Sequence, residues 1–295
     1  MKSIYFIFNM KSGKAAIASK LACVIDEFTK ADFEVTVHPT QSRGDAADAA
    51  LYACKNAYDL IVCSGGDGTL NEVIQGVMMA ENKLPIGYLP TGSTNDFAKS
   101  AGISTRIGQA VKTVIGGKPR YFDMGKLNDR SFTYIAAFGA FIEVTYETPQ
   151  NMKNVLGHAA YILNGILHVG KIRSHHIKVT ANDQQFEDDY IFGMITNSSS
   201  VAGLLSLDDF LCDDGLFEVT LIKRPSGPLA LQKTIKGILN LENDLDTKYI
   251  KSFRASNVKF ECEDKINWTV DGEFGGALNC AEVVNFNRAV QIITD

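Results

Sequence analysis

The first part of the chain repeats one order: a short apolar run, a loop of small or polar residues, then a helical pattern. Residues 3–8 are β-branched and aromatic, as a strand buried on both faces requires. A helix is predicted to follow, ending near Lys30. Strands at 33–38, 58–64 and 85–89 then alternate with helices at about 44–56, 69–80, 97–101 and 107–115. Such a β-loop-α repeat folds into a mostly parallel sheet with helices on both faces. Ligands of such sheets bind at the carboxyl ends of the strands. The second half of the chain changes character. Short alternating segments at 131–142, 176–181, 190–196, 217–222, 257–262 and 266–271 read as antiparallel strands of a sandwich or barrel. Helical stretches near 155–170 and 228–242 interrupt them. A domain boundary is placed near Asp123, giving domains 1–123 and 124–282, with 283–295 returning to the first.

Composition narrows the function classes. The 45% hydrophobic and 21% charged residues exclude a disordered or coiled-coil chain. A formal net charge of -5 weighs against general nucleic-acid binding. The six cysteines form no CxxC pair and no zinc-finger spacing, and read as buried free thiols of a reducing cytoplasm. The apolar start is too short for a signal peptide, and the apolar stretch at 155–169 is too short and too polar to span a bilayer. Membrane contact is therefore expected to be peripheral.

The loops carry the chemistry. Gly65-Gly66-Asp67-Gly68-Thr69-Leu70-Asn71-Glu72 follows the third strand. Its glycines allow positive φ and close approach of a phosphate, and Thr69 and Glu72 have capping-box spacing. The N–H groups of the next helix would face an anion, and Asp67 could reach a Mg²⁺ ion. No Gly-Lys-Ser/Thr ends the loop, so it is not a Walker A motif. The stretch from Asn9 through Met10, Lys11 and Ser12 to Gly13, and the string Thr91-Gly92-Ser93-Thr94-Asn95-Asp96, repeat the construction after the first and fourth strands. Each alone is also what an ordinary helix cap needs. Asp123 reads either as a partner of this cluster or of Lys14, or as a solvated turn residue. In the second half, Cys212-Asp213-Asp214-Gly215 reads as a cation site or a plain Asp-Gly hairpin, and Val270-Asp271-Gly272-Glu273 places two carboxylates on a turn that an ordinary hairpin loop explains as well.

Together and in this order, the Gly65-to-Thr69 loop, Asn95-Asp96, Asp213-Asp214-Gly215 and Val270-Asp271-Gly272-Glu273 resemble the diacylglycerol kinase catalytic family, in its bacterial soluble branch. The likeness spans almost the whole chain and includes Tyr146-Glu147-Thr148-Pro149. Sphingosine and ceramide kinases share the nucleotide loops; NAD kinases and phosphofructokinases share the first more distantly. The resemblance implies a Rossmann-like α/β nucleotide-binding domain followed by a mainly antiparallel β-sandwich lipid domain. It implies ATP contacts from residues 9–13, Thr40, Gly66, Asp67, Gly68, Thr69, Leu70, Asn71, Glu72 and Ser93. It implies an Asp–water–Mg²⁺ network of Asp67, Asp96 and Asp123 beside Lys14. Glu273 would be the catalytic base with Asp271 beside it, working in a cleft between the domains. A separate structural cation would be held by Asp214 and the carbonyls of Leu211 and Leu216. The family often has Pro after the first Asn and Thr after the Gly of the fourth-strand loop, where this chain has Met10 and Ser93.

The expected activity is transfer of the ATP γ-phosphate to diacylglycerol at the cytoplasmic membrane face, with a homodimer implied by family analogy. Another lipid alcohol, such as a sphingoid base or undecaprenol, or a non-catalytic lipid or nucleotide sensor on the same scaffold, are the alternatives. NAD kinase is the weaker rival. Basic residues at 171–173 and 251–254 are candidates for lipid contact, although ordinary solvated charge explains them as well.

Overall fold

The computed structural model describes residues 1–13, 17–139, 173–197, 213–227, 230 and 248–295. The chain divides into two compact units, one of 1–123 with 288–295 and one of 124–287.

In the first unit, β1 (Lys2–Phe8), β2 (Phe33–Pro39), β3 (Leu60–Gly65) and β4 (Ile86–Pro90) form a parallel sheet in the order β2-β1-β3-β4. β1, β3 and β4 are apolar because both their faces are covered. Helix α1 (Leu21–Lys30) brings Val24 and Phe28 onto the face that carries Ile4, Phe6 and Val62. Tyr5 points the other way and meets Tyr52 of α2 (Asp45–Lys55) at 5.6 Å between rings. Helix α3 (Asp67–Met78) crosses α2 at Gly76, where a Cβ would lie 2.1 Å from the Ala47 carbonyl oxygen. Helices α4 (Asp96–Ser100) and α5 (Ile107–Gly116) complete the unit, and α5 joins α1 on its face through Ala110, Val111 and Val114. The end of the chain returns here: Ile292 pairs with Ile86 of β4.

The second unit is built from antiparallel ladders. Strands β6 (Arg130–Phe132), β7 (Ile135–Gly139), β8 (His175–Ala181), β9 (Gln184–Thr196), β10 (Phe217–Lys223), β11 (Ile250–Ala255) and β12 (Asn257–Val270) follow β5 (Lys118–Leu127) and precede β13 (Glu273–Thr294). β9 pairs with β8 through its first half and with β7 through its second, and β12 does the same, meeting β8 at 258–261 and β7 at 268–270. The core is aromatic: the rings of Phe138, Phe260 and Trp268 meet edge-on or tilted with centroids 4.8–5.7 Å apart, and that of Phe132 lies 5.5 Å from that of Phe217.

Several expectations are corrected. The strands predicted at 257–262 and 266–271 are one strand, β12; the charged Glu263-Asp264-Lys265 run that separates them in sequence sits at a bulge in its pairing with β13. The strand at 131–142 is two, β6 and β7, and its last residues lie outside those described. β5, β11 and the first half of β13 were not predicted; Pro119, at the start of β5, and scattered charge obscure their periodicity. The predicted helices at 155–170 and 228–242, and Tyr146 to Pro149, lie outside the described residues, apart from residue 230. Among the described cysteines, all free, only Cys54 and Cys63 are buried; Cys23 and Cys280 are exposed.

Candidate active site

The carboxyl ends of β1, β3 and β4 carry the three predicted loops, and the loops meet. They meet through glycines. A Cβ on Gly13, whose φ is +56°, would lie 2.4 Å from the Thr91 carbonyl oxygen, and one on Gly92 would lie 2.5 Å from the Gly66 Cα. Only residues without a side chain allow three backbones this close. Backbone bonds tie the strand ends beneath: Asn9 N–H to the Ser64 carbonyl at 2.9 Å, and Thr91 N–H to the Gly65 carbonyl at 2.8 Å.

Each loop then has its own brace. Asn9 folds the first, its Oδ1 accepting the Lys11 N–H at 2.9 Å and its Nδ2 donating to the Thr69 hydroxyl at 3.4 Å. That Asx turn supplies order at the position where Met10 stands in place of proline. Thr40 lies alongside, its N–H donating to the Phe8 carbonyl at 2.9 Å. Asn95, buried and left-handed at φ +50°, brackets Gly92: Gly92 N–H donates to its Oδ1 at 2.9 Å, and its Nδ2 donates back to the Gly92 carbonyl at 3.0 Å. Asp67 joins the second loop to the third. Its Oδ2 accepts from the Thr94 hydroxyl at 3.1 Å and the Asp96 N–H at 3.2 Å, and its Oδ1 from the Phe97 N–H at 3.2 Å. Ser93 is exposed at the crest, and Asp96 pairs with Lys99 at 3.3 Å.

The capping box is corrected. Helix α3 starts at Asp67 with Gly66 as its N-cap, so Thr69 lies inside the first turn. There its side chain fills the space beside Gly65, where a Cβ would come within 2.4 Å. Glu72 reaches away from its own helix start and accepts the Ala46 N–H, at the start of α2, at 3.3 Å. Leu70 is fully buried, so only its backbone faces the loops. Gly68 is exposed, and Asn71 accepts from Gln75 at 3.2 Å. Asp123 is not a solvated turn residue: it lies within β5, fully buried, and accepts the Arg288 N–H at 2.6 Å. Lys14 and Leu211 lie outside the described residues.

In the second unit Asp271 and Gly272, at φ +48° and +83°, make the two-residue turn between β12 and β13, the type I′ geometry that Asp-Gly favours. The Asp271 carboxylate turns inward and accepts four bonds: Thr133 N–H at 2.7 Å and hydroxyl at 2.9 Å, and the Tyr134 and Ile135 N–H groups at 3.1 Å. Desolvation nevertheless pushes its pKa up to about 6, against the pull of these donors. Glu273 opens β13, exposed, with its carbonyl oxygen bound by the Thr269 hydroxyl at 2.8 Å. Asp271 therefore fixes the hairpin from below while Glu273 projects from it. At the 213–216 turn, Leu216 donates its N–H to Asp214 Oδ1 at 3.0 Å, and Asp214 Oδ2 is bound by Arg254.

Sequence reasoning missed Asn95's bracket on Gly92, the 133–135 loop under Asp271, and Arg254. The first had a signal, an Asn three residues after a loop Gly; the others have none, because the partners are far apart in the chain. The basic residues considered for lipid contact are engaged elsewhere where they are described. Arg173 pairs with Asp264, and Lys251 sits 3.4 Å over the Phe186 ring.

Comparison with known proteins decides the family. A diacylglycerol kinase from Bacillus subtilis (strain 168) is 33% identical over 295 residues, covering 99% of this chain and 96% of that protein. The chain belongs to the diacylglycerol kinase catalytic family. The family profile described as the diacylglycerol kinase catalytic domain matches residues 3–127. A Staphylococcus carnosus (strain TM300) diacylglycerol kinase is 30% identical over 99% of this chain and 95% of its own. Among solved structures, a diacylglycerol kinase from Bacillus anthracis str. Sterne shares the fold at TM-score 0.77 and 21% identity, over 100% of this chain and 97% of that one. Among the described residues no helix is long and apolar enough to cross a membrane.

Proposed function

We propose that this chain is an ATP-dependent lipid kinase that phosphorylates diacylglycerol to phosphatidic acid, with the first unit holding the nucleotide and Glu273 of the second acting as general base. The observation that carries the reading is the glycine-packed meeting of the 9–13, 65–68 and 91–96 loops at one sheet edge, in a chain of this family. The N–H groups at the start of α3, and the Ser12 and Ser93 hydroxyls, are suited to a polyphosphate. Among the described residues no group of three or more His, Cys, Asp or Glu side chains is placed to hold a metal directly. Mg²⁺ bound chiefly through phosphate and water, with one or two carboxylates, needs no such cage. Three donors occupy Asp67, which leaves it acceptor capacity, so Asp67 fits that supporting role. When bound, the ion would neutralise phosphate charge.

In the step itself Glu273 takes the proton of the lipid hydroxyl as that oxygen bonds to the γ-phosphorus. The bond from the γ-phosphorus to its bridging oxygen breaks, and ADP leaves. Phosphoryl transfer asks mainly for positioning and charge stabilisation, which braced loops and a fixed hairpin provide. A lipid acceptor places the enzyme transiently at the inner membrane face. Incubation with radiolabelled ATP and mixed micelles of diacylglycerol, a sphingoid base or undecaprenol tests this. Label in phosphatidic acid is expected. Preference for another alcohol would reassign the acceptor, and lipid binding with no transfer would point to a sensor.

A further inference from the structure

Among the described residues, the surroundings of Asp214 do not suit the cation that the family resemblance implies there. Mg²⁺ and Ca²⁺ require about six or more oxygen ligands around one point. Here each carboxylate oxygen of Asp214 already accepts from the protein itself, and one of the two donors is a permanent cation. Oδ1 accepts the Leu216 N–H at 3.0 Å, closing the turn at Gly215, whose φ is +80°. Oδ2 is bound by Nη2 of Arg254. The same guanidinium donates from Nε to Glu218 Oε1 at 2.6 Å, and Glu218 is the direct cross-strand partner of Arg254 in the β10–β11 ladder. One guanidinium is thus held between a carboxylate on the turn and a carboxylate on the strand that the turn enters. The Asp214 side chain is only 16% exposed and that of Glu218 28%, while that of Arg254 is 44% exposed, so the guanidinium reaches two partly sheltered carboxylates from the surface.

A guanidinium cannot lose its proton in a protein, so it is a permanent positive charge with several donors. A metal ion seated on Asp214 Oδ2 would have to displace it, or lie beside it as a like charge. We infer that Arg254 stands in for a divalent cation at Asp214, so that the 213–216 turn is held by an internal charge and without metal. The inference is independent of the lipid-kinase reading.

The test uses full-length, nucleotide-free protein stripped with EDTA and titrated with Mn²⁺, the free ion being followed by electron paramagnetic resonance. The unmutated protein and Asp214→Asn are expected to bind equal numbers of Mn²⁺ ions. Arg254→Met is expected to gain one site, about tenfold or more tighter than anything seen there in the unmutated protein, and the double variant with Asp214→Asn to lose it again. Should Arg254→Met not fold, Arg254→Gln, which keeps a donor for Glu218, takes its place. A Mn²⁺ ion held by the unmutated protein and lost in Asp214→Asn overturns the inference. So does an arginine variant that gains no site.

Discussion

The two units solve one problem with different material. In the first, Asp67 accepts two N–H groups and a hydroxyl from the 94–97 segment; in the second, Asp271 accepts three N–H groups and a hydroxyl from 133–135. Both carboxylates follow or flank glycine and both anchor a neighbouring loop. They differ in what surrounds them. The Asp67 loops meet at Gly13, Gly66 and Gly92, where position is set by the absence of side chains. The Asp271 turn has open space around Gly272, whose nearest outside atom to a Cβ is 3.9 Å away, and position there is set by a desolvated carboxyl group. The first unit is therefore most sensitive to added volume, and the second to lost hydrogen-bond acceptors.

Glu273 belongs to neither anchor, which makes it the sharpest probe of the division. Glu273→Gln is expected to lower turnover about 10²–10⁴-fold in a protein that stays folded. A near-normal rate would remove it as base. Next in size is Gly92→Ala, whose methyl group meets Gly66 Cα and Asn95 Oδ1, at 2.5 and 2.8 Å. A loss of about 1–3 kcal/mol in unfolding free energy, with a raised KM for ATP, is the expected result. Gly108→Ala, with nothing within 4 Å in α5, is the control and should be neutral or stabilising by up to about 1 kcal/mol. Equal responses from the two glycines would dissolve the contrast.

The sequence made the first of these mechanisms visible and hid the second. Apolar runs ending in glycine and small hydroxyl residues place the loops after β1, β3 and β4, because buried parallel strands leave a continuous apolar signature. Anchoring is different in kind. Asp271 and Thr133 are 138 positions apart, and Asp123 meets the Arg288 N–H across 165. No local pattern records such a bond. Thr69 and Glu72 show the reverse failure: the spacing fits a capping box, yet the Gly65–Thr69 contact and the Ala46 N–H claim both side chains. Arg254 reads as solvated charge until the β10–β11 register sets it opposite Glu218.

Removing the acceptor in the second unit gives a comparable or smaller loss. In Asp271→Asn an NH₂ group must face N–H donors that had faced oxygen, at a cost of about 1–3 kcal/mol near neutral pH, read by chemical denaturation. The same pair of proteins yields the finest test, through its pH dependence. The folded carboxyl titrates at about 6, above the ordinary carboxylate value near 4. A group raised on folding holds extra protons in the native state between those values. Its stabilising contribution is complete below about pH 4 and is lost as the pH rises through about 6. The stability gap between the unmutated protein and Asp271→Asn should therefore be wider at pH 4 than at pH 7. A gap that narrows on acidification would mean that the four donors outweigh desolvation. The hairpin would then be held by the charge itself.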